Sequence, residues 1–196
     1  MNDAFTSKRV LVGVTGGIAA YKACTLVSRL AQAGAEVTVA MTAGAARFVT
    51  PLTFEALSAR RVYTSPWEEA GGGGDPQHIA LARGLHAAIV APCTMDCLAR
   101  LAMGRADDAV TLMLASIDRA RTPVLLAPAM NAAMWSQPAT QRNLAVLRAD
   151  GFVLVGPNEG WQACRTMGPG RMSEPEELLE ALREALKQRK KEQEHG

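Results

Sequence analysis

The sequence predicts an α/β domain of three layers, a doubly wound parallel sheet with helices on both faces, and three observations carry that prediction. Short unbroken apolar runs alternate along the chain with stretches of helical periodicity, the pattern of strands buried on both sides. Three of those runs end in turns marked by glycine or proline that open at once into helices: Thr15-Gly16-Gly17, Pro92-Cys93-Thr94 and Pro128-Ala129-Met130-Asn131. The chain has 196 residues, 48% hydrophobic and 20% charged, which suits one such domain with a sizeable core and is short for two.

Met1 to Lys8 is a polar N-terminal tail without an apolar signal segment, so export is not expected and a cytoplasmic location is. Arg9 to Val14 reads as a buried strand, and the glycine turn after it leads into a helix running roughly from Ile18 to Ala33, stopped by Gly34. Glycines at a strand-to-helix turn let a ligand approach the backbone, and the amides opening the helix favour an anion. A tight turn with no ligand is the bland alternative. A nicotinamide-dinucleotide site is disfavoured, because G-V-T-G-G-I is not G-x-G-x-x-G and the next strand, Glu36 to Met41, ends in Thr42 rather than an acid.

Ala43 to Thr64 reads as helical pieces with Phe48 and Phe54 in the core, followed by a short strand at Arg61-Val62-Tyr63. Glu68 to Asp75 holds four consecutive glycines and reads as a mobile surface loop. His78 opens a short helix before the strand Ala87 to Ala91. A histidine there is ordinarily a surface or capping residue, and His86 is read as structural. After Pro92, Asp96 is either an N-cap or a charge beside a site, and Leu98 to Ala102 continues as helix. A further helix ends near Arg119.

Pro123 to Ala127 is the next buried strand, stopped by Pro128, and its carboxyl end opens into Pro128-Ala129-Met130-Asn131-Ala132-Ala133-Met134-Trp135. Open α/β sheets bind ligands at such strand ends. Asn131 offers an acceptor and a donor, while Met130, Met134 and Trp135 supply apolar walls, although a packed loop accounts for the same residues. Pro138 starts a helix through Ala139 to Asp150, closed by Gly151, and Phe152 to Val155 is the last core strand. Gly156 to Met172, with Cys164 at its centre, reads as a hinged flap whose cysteine is, by residue type alone, ordinary packing. Ser173-Glu174-Pro175-Glu176 opens a final helix with a stripe of Leu178, Leu179, Leu182 and Leu186. The polar stretch 187–196 is an exposed, fraying tail.

A net charge of +2 gives no general case for nucleic acid, and no apolar run approaches membrane-spanning length. The four cysteines, Cys24, Cys93, Cys97 and Cys164, form no C-x-x-C pair and are expected as free thiols. Cys93, Cys97, His78 and His86 match no common zinc spacing, so no metal is assigned.

The octapeptide P-A-M-N-x-x-M-W, the loop Ala163-Cys164-Arg165-Thr166-Met167-Gly168-Pro169-Gly170-Arg171-Met172, the opening G-V-T-G-G-I-A-A-Y-K and the H-I-x-L-A run at His78 together resemble the homo-oligomeric flavin-containing cysteine decarboxylases. The resemblance covers Lys8 to Leu186 and implies a flavodoxin/Rossmann-like single domain at 9–186. It implies FMN held by Gly16, Gly17, Ile18, Thr42, Thr94, Met95, Asp96, Cys97 and Ala129. It further implies His78 as base, Asn131 holding the carboxylate that departs, Cys164 returning a proton, and substrate contacts from Asn131, Met134 and Ala163. The implied reaction is decarboxylation of phosphopantothenoylcysteine to 4′-phosphopantetheine on the route to coenzyme A. FMN would take electrons from the thiol side and return them. The implied assembly is a trimer or a dodecamer in which Pro128 to Trp135 completes a neighbour's site, and for the stretch from Phe48 to Phe54 the resemblance offers partial burial between protomers as the alternative to the core.

Two positions depart from the family pattern. Where the family has P-A-S-A-N-T this chain has Pro92-Cys93-Thr94-Met95-Asp96-Cys97, so Asp96 brings a carboxylate that repels an electron-rich ligand unless it is protonated or paired. Arg165 replaces the first glycine of the flap. The rival readings are a peptidyl-cysteine decarboxylase, against which Cys164 argues, a flavin prenyltransferase, which lacks the octapeptide, and a non-catalytic FMN-binding regulator. Bifunctional relatives continue into a nucleotide-using ligase domain, and no ligase activity is expected of this chain.

Overall fold

The computed structural model describes residues 4–67 and 76–194. The loop expected at 68–75 lies outside the described residues. Five parallel strands, β1 (Arg9–Val14), β2 (Glu36–Met41), β3 (Ala87–Cys93), β4 (Val124–Pro128) and β5 (Val153–Leu154), form one sheet in the order β2-β1-β3-β4-β5. Each central strand is buried along its length, as its apolar run requires when helices cover both faces.

Alternation along β1 builds two cores. Val10, Val12 and Val14 face α1 (Ala20–Gln32), α2 (Pro51–Ser58) and α8 (Pro175–Glu194), with Leu26, Leu30, Phe54 and Leu178 filling the layer. Leu11, with Val90 of β3 and Leu126 of β4 in the same layer, faces α4 (Met95–Ala102), α5 (Ala109–Ala115) and α7 (Pro138–Ala149). A side chain at Gly13 would place its Cβ 2.9 Å from Val110 Cγ1, so α5 can lie directly on β1 only over a glycine.

The helix ends follow from local chemistry. Gly34, at φ +84°, closes α1. Its N–H donates to Ala31 O and that of Ala35 to Leu30 O, both at 3.0 Å, the paired bonds of a Schellman end. Asp108 and Thr111 form a reciprocal capping box that starts α5.

Several expectations are corrected. Phe54 is fully buried, but Phe48 is 51% exposed because the 3-10 turn at Ala45–Arg47 leaves it on the surface. Phe5, inside the expected N-terminal tail, is fully buried in the α1/α8 core with the Arg183 guanidinium over its ring. The octapeptide contains a one-turn helix, α6 (Ala132–Trp135), and the expected flap is a hairpin of β6 (Asn158–Trp161) and β7 (Met167–Arg171). The last strand of the sheet is a two-residue edge strand with Val153 largely exposed. Helix α8 continues through the polar stretch to Glu194, where Arg189 Nε donates to Arg121 O at 2.8 Å. All four cysteines are free thiols. Among the described residues no helix is long and apolar enough to cross a membrane.

Two ion pairs tie the start of α8 to α1, the exposed Arg29–Glu176 pair at 3.0 Å and a more buried one just before the helix. Lys22 Nζ donates to Glu174 Oε1 at 2.9 Å and to Met172 O at 3.4 Å, the lysine side chain being only 10% exposed. The Lys22 ammonium, aided by Arg171, holds the Glu174 carboxyl below its usual range. A depressed carboxyl stabilises the fold above its unfolded pKa, and that contribution disappears as pH falls through the folded one. Glu174→Gln is therefore expected to lose about 1 kcal/mol near neutral pH, a figure reduced for the partial exposure of the pair. Urea unfolding from neutral to acid pH should show the gap between variant and wild type closing below the carboxylate range.

Candidate active site

The order β2-β1-β3 reverses direction at β1, so α1 and α4 leave for opposite faces and open a crevice at the carboxyl ends of β1 and β3. Thr15, buried immediately after β1, spans it: its hydroxyl donates to Pro92 O at 2.7 Å and accepts from Thr94 N at 3.1 Å. Thr94 in turn caps α4, its Oγ1 accepting from Cys97 N at 3.3 Å. Asp96 is thus not the N-cap but lies in the first turn of α4.

The crevice continues into a cavity of about 790 Å³. Gly16, Gly17 and Ile18 form one wall, Thr94, Met95 and Asp96 a second, Ala129, Asn131 and Met134 a third, and Ala163 and Cys164 close over from the hairpin. Eleven of the residues named from the sequence meet here, nine because β1, β3 and β4 are adjacent strands that deliver their ends to the same edge of the sheet, and Ala163 and Cys164 from the hairpin. Ala129, Met130, Asn131 and Met134 of the octapeptide line the cavity of their own chain.

Three named residues are not brought in. Thr42 stands behind the wall, where its hydroxyl accepts from Ala45 N at 3.2 Å, and Gly44 lines the cavity in its place. A Cβ on Gly16 would approach the Gly44 backbone to 2.9 Å, so the two loops touch only because a glycine stands at Gly16. Cys97 is 3% exposed and packs in the core next to Cys93, whose thiol is pushed well up by burial and then by Cys97. His78 sits half-buried on α3 (Gln77–Ala82), which packs against α5, and does not line the cavity. His86 is structural, its Nδ1 accepting from Arg9 N at 3.1 Å at the start of β1. Burial, then the charges of Lys8 and Arg9, lower its pKa.

The centre of the cavity is a polar cluster. Asn131 caps α6, its Oδ1 accepting from Ala133 N at 2.8 Å, which leaves the amide N–H groups directed at Cys164 Sγ, 3.1 Å away. Cys164 Sγ also lies 3.0 Å from Thr166 Oγ1. Bonds from Thr166, then Asn131, hold this exposed thiol below the ordinary range. Gln162 was not named from the sequence, yet it is the buried peg of the site. Its Oε1 accepts from Ala132 N at 3.2 Å and its Nε2 donates to Pro169 O at 2.6 Å, binding the hairpin to the octapeptide. Nothing in the run Gly160-Trp161-Gln162-Ala163 signals that pairing, since Ala132 is thirty residues away in the chain and Pro169 lies on the opposite strand of the hairpin. Lys22, Trp161 and Arg171 also line the cavity. The departure at Asp96 is compensated, since Arg100 Nε lies 2.8 Å from its carboxylate. Arg165 takes φ +64°, the left-handed conformation a glycine there would favour, so the turn keeps its shape.

The amide end of α1 carries no side-chain cap and no acidic residue in its first turn, leaving N–H donors for an anion beside the glycine wall. Ile18, Met95, Met134 and Trp161 supply apolar surface for a flat ring system.

Comparison with known proteins agrees with this geometry. The family model described as Flavoprotein matches residues 2–187. The chain is 47% identical over 186 residues to the coenzyme A biosynthesis bifunctional protein CoaBC of Haemophilus influenzae, an alignment that covers 93% of this chain and 44% of that one. The chain thus spans less than half the length of that relative. Among solved structures, the FMN-dependent cysteine decarboxylase SpaF superposes with a TM-score of 0.80 at 33% identity, covering 94% of this chain and 98% of SpaF. A cysteine-to-serine mutant of PPC decarboxylase complexed with pantothenoylaminoethenethiol superposes at 0.83 and 30% identity, covering 90% of this chain and 97% of that one. Strand order, cavity and sequence agree, and the chain belongs to the flavoprotein family.

Proposed function

We propose that this chain, through its 9–186 unit, is an FMN-dependent decarboxylase of phosphopantothenoylcysteine that yields 4′-phosphopantetheine for coenzyme A synthesis. It would work in the cytoplasm as a homo-oligomer. The observation that carries the reading is the Asn131 amide aimed at Cys164 inside a cavity whose donors and walls suit FMN. Gly16, Gly17, Ile18, Thr94, Met95, Asp96 and Ala129 would hold the flavin, with Thr42 and Cys97 supporting those walls from behind. When bound, FMN supplies a reversible two-electron sink that takes electrons from the cysteinyl thiol and returns them after carbon dioxide leaves, with no net redox change.

The chain's own groups do the rest. Because Oδ1 of Asn131 is committed to α6, its N–H donors cannot turn away, and a substrate carboxylate is a stronger acceptor for them than a neutral thiol. Met134 and Ala163 flank that carboxylate, and loss of its charge as carbon dioxide is favoured once surrounding water is excluded by the hairpin. Cys164 then gives its proton to the enethiol carbon, a step that a lowered thiol pKa assists. A base role for His78 requires α3 of a neighbouring protomer, since His78 stands outside its own chain's cavity. Ile18 and Tyr21 at the cavity and Phe48 and Leu52 close by are each more than half exposed, apolar surface that a trimer, alone or within a dodecamer, would cover. The likeness to SpaF favours a second reading, in which the substrate is another cysteine-containing molecule.

Product masses after incubation with phosphopantothenoylcysteine separate these readings. Wild type is expected to release 4′-phosphopantetheine, His78→Asn nothing, and Cys164→Ser a product two hydrogens lighter. A flavin-loaded wild type that leaves this substrate intact rejects the assignment. For the proton step, turnover should fall as pH rises through the Cys164 pKa, since only the thiol can donate. Thr166→Val removes the largest influence lowering that pKa, so the alkaline limb of its kcat profile is expected at higher pH. Light scattering on the flavin-loaded protein should give a multiple of three protomers, and a fully loaded monomer would contradict the assembly.

A further inference from the structure

Asp96 puts a carboxylate on the cavity wall, its side chain 74% exposed and its Oδ2 2.8 Å from Arg100 Nε, one turn further along α4. The guanidinium is gripped from its other side. Arg100 Nη1 lies 2.7 Å from Asp107 Oδ1 and 3.7 Å from Asp108 Oδ2, and its side chain is only 27% exposed. Asp108 is itself fixed, because its Oδ1 accepts from Val110 N and Thr111 N, each at 2.9 Å, at the start of α5. Arg105 pairs with Asp107 and completes the network.

An isolated pair one helical turn apart contributes little, because two long side chains must be ordered to form it. Here Arg100 is ordered beforehand by the turn that caps α5, so Asp96 meets a cation already in place. The hydrogen bond to Asp96 is also the largest influence holding the Arg100 pKa above its usual value. Neither Arg100 nor Asp107 nor Asp108 lines the cavity.

We propose that Arg100 is a positioning residue for the cavity: anchored on Asp107 and Asp108, it holds and neutralises Asp96, so that an acid on the wall does not repel a bound anionic flavin. The inference rests on the FMN reading above and assigns the Asp107-Asp108 turn a part in ligand retention at a site it does not touch.

Quenching of added FMN fluorescence measures the affinity directly. Arg100→Gln is expected to weaken FMN binding about three- to tenfold at low salt, a modest loss because the exposed charge acts through a high dielectric. The loss should shrink near 1 M salt, where the screening length is about 3 Å. Asp96→Asn added to Arg100→Gln should restore affinity, because the uncompensated charge is gone. Arg100→Lys, which keeps the cation, provides a folded comparison if Arg100→Gln is too unstable to purify, and is expected to bind within about twofold of wild type. Unchanged binding in Arg100→Gln overturns the proposal, as does a loss that Asp96→Asn fails to rescue or that Arg100→Lys shows in full. A wild type that binds no FMN rejects the flavin reading itself and this proposal with it, an outcome visible before any variant is made.

Discussion

The hydroxyl of Thr15 is the joint on which the site depends. At the point where strand order reverses, β1 and β3 send their helices to opposite faces, and the gap between the strand ends must stay open without drifting apart. Thr15 holds both ends through one atom, donating to Pro92 O and accepting from Thr94 N, and it is 1% exposed while doing so. Removing it would leave a buried carbonyl and a half-buried N–H without this partner, a larger loss than the net worth of the two bonds. Its effect propagates: Thr94, placed by Thr15, caps α4, and α4 carries Asp96 and Arg100.

The second constraint is the docking of the hairpin, which differs in kind from the packing of the sheet. Trp161 and Met167 are 62% and 70% exposed, so little apolar burial holds the arm. Polar contacts do. Met130 N donates to Gly170 O at 2.9 Å, and Gln162 bridges Ala132 N to Pro169 O. A Cβ on Gly170 would come within 2.2 Å of Met130 O, so this backbone approach tolerates no side chain. Bonds of that sort exchange with water at small net cost, about 1 kcal/mol each. The Lys22–Glu174 pair then anchors the far end of the arm where it joins α8.

The sheet was legible because its strands are apolar runs with sharp ends, and β1, β2 and the start of β3 fall at the residues read from the pattern. The site was legible to the extent that it lies at strand ends: nine of the eleven named residues that share the cavity stand there, and Ala163 and Cys164 come from the hairpin. What escaped was set by long-range partners. Gln162 matters through Ala132 N and Pro169 O, and no local pattern encodes a side chain meeting the octapeptide thirty residues away. The hairpin was hidden because Met167-Gly168-Pro169-Gly170-Arg171 has almost no strand propensity and is extended by its docking. Phe5 and Phe48 were misplaced for a related reason, since hydrophobicity predicts that a ring seeks cover but not whether its segment passes over the core.

The two departures from the family pattern carry a further lesson about what that pattern encodes. At Asp96 a carboxylate stands where an amide is usual, and the structure answers with a cation one turn away that is braced by the α5 cap. At Arg165 a side chain occupies a left-handed conformation that costs roughly 1–2 kcal/mol for a residue other than glycine. That cost is carried by the bonds that close the turn, Arg165 N to Gln162 O and Gln162 N to Thr166 O, both at 2.9 Å. At the first position the new charge is compensated by a neighbouring cation, and at the second the backbone bonds close the turn that carries Cys164.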